Sequence, residues 1–480
     1  MTHHGGEEVR TQIAKATTPT LIRLIEEHPD DPTVAELAIV TMSHCTGVIV
    51  SPENAAKTKD ADLKALGIPK LIRTFTQCMR KPTATSNLIN HGLALLADCT
   101  QNCWKECIAY PSIIKLLVAT LRSDDLIQRC IALGGLIRLY QPQAEDDQRG
   151  LDPTKFMSGL QRGFPDHLAD IIMDYGFNRC DTIITLQTTK DFQQALMKCA
   201  RDHDLRSLGH TLAQFILRTE FSITDGYFET ECPRTGRREI SDVGLPFTMW
   251  TDALPHCAAA LRATNDPKEQ DVADILELKF LIKKQRLKEA VALAKKAFER
   301  SPDVAYFCYV VTLSADNMQG LRYAKKGMKC KSTSPFVRFQ MMQRAVEHAA
   351  NEGICILQNS PHVGEPKWEE GIAYLTSAVE DAKCYLDQAP PDNRHMKNVS
   401  YWYILLTIAI QGPELSIDLR ELEVCFLDIV NRVSFHYPNY DDLGCSPEIK
   451  DCRRIQQAHR CPASEDQLQT GAADRYQVIF

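Results

Sequence analysis

A seven-residue phrase that occurs three times constrains the fold of this chain more than any other feature. It reads PTLIRLI at Pro19–Ile25, PKLIRTF at Pro69–Phe75 and PSIIKLL at Pro111–Leu117. Each copy has a proline, a polar residue, and apolar residues separated by one Arg or Lys. Proline fits the first turn of a helix, where its missing N–H leaves no intrahelical bond unmade. The phrase therefore predicts the start of a helix three times, in a chain built from repeated helical units.

A second apolar helix is predicted after each copy of the phrase. The three prolines are 50 and 42 residues apart, and periods of about 40–47 residues are typical of armadillo and HEAT repeats. In the third unit we predict Ser123 as the N-cap of the second helix. Gly134 and Gly135 inside that helix would each cost about 1 kcal/mol relative to Ala, which predicts a close helix–helix contact. Residues 15–140 thus resemble an armadillo array, and an unrelated helical bundle is the alternative.

The second half resembles tetratricopeptide repeats in the segment DILELKFLIKKQRLKEAVALAKKAFERSP at Asp274–Pro302. The residues predicted to pack between its two helices are Leu278, Leu281, Ile282, Ala290, Ala294 and Ala297. Lys279 stands where the family prefers Gly, and one residue is missing from the turn. RYAKKGMKC at Arg322–Cys330 then repeats ALAKKAFER at Ala292–Arg300, and a small residue recurs at the same positions. These are degenerate repeats, because their spacing falls short of the usual 34 residues.

We therefore predict an all-α chain, an α-solenoid of armadillo-like repeats followed by tetratricopeptide-like repeats. The predicted ranges are a flexible N-terminus at 1–14, an armadillo-like array at 15–221, a linker or crossing segment at 222–265, a tetratricopeptide-like array at 266–423 and a polar tail at 424–480. The tail is short of apolar periodicity, a composition compatible with disorder.

Four phrases along the second half carry a wider resemblance. VGLPFTMWTDALPHC, DVADILELKFLIKK, the long run from PDVAYFCYVV to QRAVEHA, and HMKNVSYWYILLTIAIQGPELSIDLRELE resemble a group of proteins from mushroom-forming fungi, the basidiomycetes. Those proteins combine armadillo- and tetratricopeptide-like repeats with a MYND-type zinc finger. The resemblance covers most of residues 15–423 and implies helical repeats, but no particular activity. The finger itself needs seven Cys and one His in closely spaced pairs, which this sequence does not supply.

The eighteen cysteines include no C-x-x-C pair. Because no export signal is apparent, we expect free thiols, most of them buried as small apolar residues. Cys99, Cys103 and Cys107 would share a face on one continuous helix, and buried thiols are favoured there over a metal cluster. The candidate zinc ligands in the tail, set against an interpretation as incidental cysteines, are Cys445, Cys452, His459 and Cys461. We expect no metal at either place.

Composition and motifs limit the possible functions. A net charge of −7 and a pI near 6.1 disfavour a dedicated nucleic-acid binder. The N-terminus lacks a cationic segment followed by an apolar run, and the apolar run Tyr401–Ile410 is about half of what a bilayer span needs. We therefore expect no membrane partner and a cytoplasmic or nuclear protein. No nucleophile elbow, S-x-x-K motif or phosphate-binding loop stands in a suitable context, so we expect neither catalysis nor a cofactor.

These observations predict a non-enzymatic scaffold that binds a protein or an acidic peptide segment along a helical-repeat groove. The cations that could hold carboxylates by charge-assisted hydrogen bonds are Lys284, Lys288, Lys295, Lys296, Arg322, Lys325, Lys326 and Lys329. The competing interpretation of this set is a solvated outer helix face, and RNA is disfavoured because Tyr323 is nearly its only aromatic neighbour. For the whole chain, the alternatives are an enzyme or enzyme subunit with an unrecognised site, related to MYND and SET regulators, and a zinc-binding regulator with a divergent C-terminal finger.

Overall fold

The computed structural model describes residues 5–54, 57–144, 158, 161, 166–231, 238–313 and 316–416, and these residues are mostly helical. The helices before residue 145 are α1 (Glu7–Glu27), α2 (Pro32–Val50), α3 (Asp60–Leu66), α4 (Ile68–Met79), α5 (Ser86–Asn102), α6 (Trp104–Ile108), α7 (Pro111–Thr120) and α8 (Leu126–Tyr140). Those after residue 165 are α9 (Asp166–Tyr175), α10 (Asp181–Asp202), α11 (Leu205–Arg218), α12 (Ala253–Arg262), α13 (Pro267–Lys283), α14 (Leu287–Arg300), α15 (Ala305–Thr312), α16 (Asn317–Gly327), α17 (Pro335–Gln358), α18 (Pro366–Gln388) and α19 (Met396–Gln411). Within the described ranges the sheet is one antiparallel hairpin of β1 (Glu229–Glu231) and β2 (Arg238–Ile240), so the all-α prediction is confirmed there.

Helices of the first half pack in sequence order. Helix α1 lies against α2, α2 against α5, and α5 against α8, while α4 packs on α5 and α7 packs on α8. The side chains between them are apolar and buried, for example Leu71, Phe75 and Leu117. Each amphipathic helix thus buries its apolar face against the next pair, which is the packing that recurring apolar stripes predict.

Two of the three repeated prolines take the predicted position. Pro69 and Pro111 lie in the first turn of α4 and α7. The prediction was wrong for Pro19, which lies inside α1. The helix continues upstream of Pro19 because Ala14 and Thr18 are buried, and Thr18 shares a 3.0 Å hydrogen bond with Thr46 of α2. This packing outweighs the one backbone hydrogen bond that an interior proline removes.

The predicted N-cap of α8 was also wrong. Asp125, not Ser123, occupies that position, and its carboxylate accepts a 2.8 Å hydrogen bond from the Ile127 N–H. Ser123 instead shapes the preceding turn, since its hydroxyl oxygen accepts from the Asp125 N–H at 3.2 Å. A carboxylate is a strong acceptor for the free N–H groups at a helix start, and it lies two residues closer to the helix.

The glycine pair of α8 confirms the predicted close contact and shows its two partners. A Cβ added at Gly135 would lie 3.2 Å from the Cβ of Ala97 in α5. One added at Gly134 would lie 3.2 Å from Ile354 Cγ2 in α17. Helix α8 is therefore held tightly on two sides, by its neighbour in the first half and by a helix more than 200 residues later in the chain.

One hydrophobic core joins the beginning of the chain to its later helices. Buried apolar residues of 14–140 and 342–415 form a single cluster, and a second cluster covers 192–341. The predicted range 266–423 therefore contributes to both cores, and α10 and α11, predicted within the first array, supply apolar side chains to the second. Helix α17 is the element common to the two cores.

Two arginines fasten this junction with hydrogen bonds. The buried Arg129 guanidinium donates to the carbonyl oxygens of Ala409 and Ile410, at 2.6 and 3.2 Å, at the end of α19. Arg122 donates to the carbonyls of Leu415 and Ser416 at 2.7 and 2.8 Å. The last carbonyls of a helix lack intrahelical partners, and here Arg129 of α8 donates to two of them.

The second half packs in the predicted helix pairs. Helices α11 to α18 contact one another in chain order, and the small and apolar residues predicted between α13 and α14 are buried. A Cβ at Gly327 would lie 2.8 Å from the Cβ of Cys308, so a larger residue would separate α15 from α16. The predicted crossing segment 222–265 carries the hairpin, buried Phe228 and Phe247, and the whole of α12.

Helix α2 is the one described helix long and apolar enough to cross a membrane by length and composition. Close to half of its most apolar window, 44%, is buried in the interior, where α2 lies between α1 and α5. A core helix of a globular protein meets the same length and composition criteria.

Candidate functional site

The structure brings the predicted basic residues of α14 and α16 onto neighbouring helices. The rings of Phe298 and Tyr323 meet edge to face with centroids 5.5 Å apart. The Lys326 ammonium lies over both rings, 5.1 Å from the Tyr323 centroid and 5.9 Å from that of Phe298. Lys326 of α16 and Phe298 of α14 thus meet where these two helices come together.

Two of the lysines predicted to bind a partner form ion pairs with carboxylates of the protein itself. Lys284 lies 3.6 Å from the Asp252 carboxylate, and Lys325 pairs with Asp381 of α18. Asp381 is half-buried, and burial raises the pKa of its carboxyl although the Lys325 ammonium opposes that shift. These two lysines contribute to packing between segments and are poor candidates for holding a ligand.

Lys326 lies over the rings of Phe298 and Tyr323, and the other five cations form what we call the basic face, defined as Lys288, Lys295, Lys296, Arg322 and Lys329. Along α14, Lys295 and Lys296 follow Lys288 by seven and eight residues. Arg322 in the middle of α16 precedes Lys329, just beyond the helix end, by seven, so on each helix the cations lie toward one side. Lys288, Lys296, Arg322 and Lys329 are exposed and Lys295 is half-buried. Among the residues that the structure describes, none of the five lies within 4.0 Å of a carboxylate oxygen. Their charge is therefore available to a partner.

A cavity of about 420 Å³ lies where α16 ends, lined by the segment that follows α16, the start of α17 and the last part of α18. Its lining combines cations, sulfur atoms and one ion-paired carboxylate. The lining residues are Met328, Cys330, Lys331, Thr333, Arg338, Met342, Asp381 and Cys384. The volume falls in the range of small-molecule pockets, roughly 300–1,000 Å³.

A buried ion pair that sequence reasoning missed lies at the centre of the second core. Lys279 and Glu220 are both 1% exposed, with Nζ and Oε2 3.2 Å apart. Tyr309 donates a 2.6 Å hydrogen bond to the other carboxylate oxygen of Glu220, and burial lowers the pKa of Lys279 against the opposing effect of Glu220. A lysine between apolar Leu278 and Leu281 was the available signal, since a buried ammonium requires a partner.

A second missed group joins α10 to the turn between α18 and α19. The Asp392 carboxylate accepts the backbone N–H groups of Asp181 and Thr182 at 3.0 and 2.8 Å. The Asp181 carboxylate in turn accepts from the Asn393 amide at 2.7 Å. Burial and the neighbouring Asp392 charge raise the pKa of Asp181 to about 7, with Arg394 opposing. No local pattern connects residues more than 200 positions apart, so the sequence held no signal for these hydrogen bonds.

The cysteine cluster takes the structural role that the sequence favours. Cys99, Cys103 and Cys107 are buried, although α5 ends at Asn102 and the three do not share one continuous helix. A hydrogen bond with Cys103 and burial raise the pKa of Cys99, and burial and the neighbouring Cys103 raise the pKa of Cys107. The described residues include no group of three or more Cys, His, Asp or Glu side chains placed to hold a metal ion. The tail candidates Cys445, Cys452, His459 and Cys461 lie outside the described residues.

Comparison of the chain with protein-family models, with curated proteins and with solved structures found no match.

Proposed function

We propose that this chain is a non-enzymatic helical-repeat scaffold that binds an acidic segment of a partner protein on its basic face. The observation that carries the proposal is the group of five cations on and beside two adjacent helices without carboxylate partners among the described residues. The chain as a whole has a net charge of −7, so this local excess of positive charge runs against the average composition. Lysine and arginine in that arrangement attract carboxylates and steer their approach.

The proposal includes the arrangement of the repeats. Consecutive packing of helix pairs supports an armadillo-like first half and a tetratricopeptide-like second half, and stacked pairs of this kind present extended surfaces to partners. The relationship to the basidiomycete MYND group, without its zinc finger, and a cytoplasmic or nuclear location belong to the same proposal. They rest on the sequence alone.

The test measures binding of a fluorescent Glu-rich peptide by polarisation, with the same peptide carrying Gln in place of Glu as the ligand control. The variant reverses Lys288, Lys295 and Lys296 to Glu. It leaves Lys325 and Lys326 in place, because those side chains contact Asp381 and two aromatic rings. We expect the unaltered chain to bind the acidic peptide, more weakly as salt is raised, and the triple variant to lose that binding.

The matched control applies the same change of charge elsewhere on the surface. Lys64, Lys190 and Lys383 are exposed on α3, α10 and α18, and their triple reversal to Glu is expected to leave binding largely in place. Equal losses from the two triple variants, or equal affinity for the Glu and Gln peptides, would refute the basic face as the binding surface.

A further inference from the structure

Two half-buried cysteines from different segments line the 420 Å³ cavity. Cys330 lies in the turn after α16, and Cys384 lies on α18. Their surroundings differ in the direction of the hydrogen bonds that reach the sulfur atoms. This difference distinguishes the chemistry of the two thiols.

Cys384 accepts a hydrogen bond from a side-chain amide, and that amide is in turn hydrogen-bonded to a cation. The side-chain amide of Gln388 donates through Nε2 to Cys384 Sγ at 3.1 Å, and its Oε1 accepts from the Arg338 guanidinium at 3.0 Å. A guanidinium can only donate, so the contact with Arg338 fixes which end of the amide points at the sulfur. The Gln388 N–H, itself hydrogen-bonded through its amide to a guanidinium, is positioned to stabilise negative charge that develops on the Cys384 sulfur during a reaction.

Cys330 has the opposite arrangement. Its thiol donates to the carbonyl oxygens of Pro302 at 3.3 Å and Lys326 at 3.6 Å. Burial raises the pKa of the Cys330 thiol, although its contact with Cys308 opposes the shift. A sulfur that donates to two carbonyls is held in the protonated form, which is a poor nucleophile.

The cavity also carries an excess of positive charge. Lys331 and Arg338 are exposed, and neither lies within ion-pair distance of a carboxylate in the described part of the chain. The one carboxylate of the lining, Asp381, is paired with Lys325. A ligand that brings its own carboxylates would therefore be attracted to the opening beside Cys384.

We propose that Cys384 is a site of reversible S-thiolation by an anionic low-molecular-weight disulfide of the glutathione disulfide type, whose carboxylates are held by Lys331 and Arg338. The Cys384 thiol gives up its proton, and its sulfur attacks one sulfur of the bound disulfide. The S–S bond of the reagent breaks as the new S–S bond to Cys384 forms, and the other half leaves as a thiolate that takes up a proton. The reagent is the oxidant, so no further electron acceptor is needed, and the modification is independent of the proposed scaffold function.

The experiment incubates the full chain with glutathione disulfide, or with the neutral 2-hydroxyethyl disulfide, and follows each cysteine by peptide mass mapping. We expect Cys384 to be modified before Cys330, which shares the cavity, and before Cys355, which is exposed on α17 outside it. A reducing dithiol is expected to remove the adduct.

Two variants separate the effects of charge and hydrogen bonding. Lys331→Gln is expected to slow the reaction of Cys384 with glutathione disulfide by about threefold or more, less at high salt, and to leave the reaction with the neutral disulfide unchanged. Gln388→Leu removes the donor to sulfur and is expected to slow both reactions. Modification of Cys330 or Cys355 at the rate of Cys384, or an unaltered preference for the anionic disulfide in Lys331→Gln, would overturn the proposal.

Discussion

Replacement of Asp181 by Asn is expected to stabilise the protein at neutral pH and to change how its stability depends on pH. The Asp181 carboxyl lies against Asp392, and burial and this neighbour raise its pKa to about 7 from an ordinary value of 3.8. A pKa raised in the folded state means that stability is greatest below the unfolded value and is lost as pH rises toward 7. Asn keeps an oxygen for the Asn393 amide and has no charge to desolvate.

The expected gain in the free energy of unfolding follows from the pKa shift of Asp181. A shift of one pKa unit corresponds to about 1.4 kcal/mol, and the rise from 3.8 to about 7 then gives on the order of 4 kcal/mol above pH 7. Asp181 keeps partial contact with solvent, which screens its interaction with Asp392, so we expect about half of this, roughly 2 kcal/mol.

The assay is urea unfolding of the wild-type chain and Asp181→Asn at several pH values between 5 and 8. The stability advantage of the variant is expected to grow as pH rises and to level off above pH 7. Asp170→Asn, at an exposed position of α9, is the control and is expected to show no such trend. If Asp181→Asn is less stable at every pH, with a constant difference, Asp181 is ionised in the folded state and the argument from Asp392 is refuted.

Three further comparisons of variants test the packing. A Cβ at Gly47 in α2 would lie 3.9 Å from Asp98 Oδ2, an ordinary contact distance, so Gly47→Ala is expected to raise the free energy of unfolding by up to about 1 kcal/mol. Gly135→Ala is expected to lower it, and equal gains in denaturant melts would contradict the close contact. Lys279→Met is expected to cost about 3–5 kcal/mol by leaving Glu220 unpaired, and adding Glu220→Gln is expected to recover part of this; an unrecovered double variant would refute the pairing. Arg129→Met is expected to cost about 2–4 kcal/mol in the same melts by orphaning helix-end carbonyls, and an unchanged midpoint would show that α19 does not depend on them.

Local sequence patterns predicted the helices and part of their packing. The glycines of α8 indicated a close contact, and the small residues of α14 indicated another, because steric demands at a helix interface are visible in a single residue type. The patterns could not identify α17 as the partner of Gly134, since nothing near position 134 specifies a helix more than 200 residues away. The side of α8 that carries Gly134 therefore had no predicted neighbour.

The polar contacts were the least predictable part of the fold. Ser123 and Asp125 are both good N-caps by residue type, and the geometry of the turn selects between them. Lys279 signalled a buried partner without naming Glu220. In the candidate site, the sequence indicated the cations of α14 and α16, but it could not show that Lys325 is neutralised by Asp381, because that depends on how α18 packs.

The most direct test of the proposed scaffold function is a lysine footprint. The chain is acetylated briefly with and without the Glu-rich peptide at saturating concentration, and the modification of each lysine is measured by mass spectrometry. We predict that bound peptide protects Lys288, Lys295 and Lys296 and leaves Lys64 and Lys190 as reactive as before. Protection spread equally over all five lysines, or confined to Lys64 and Lys190, would contradict binding at the basic face.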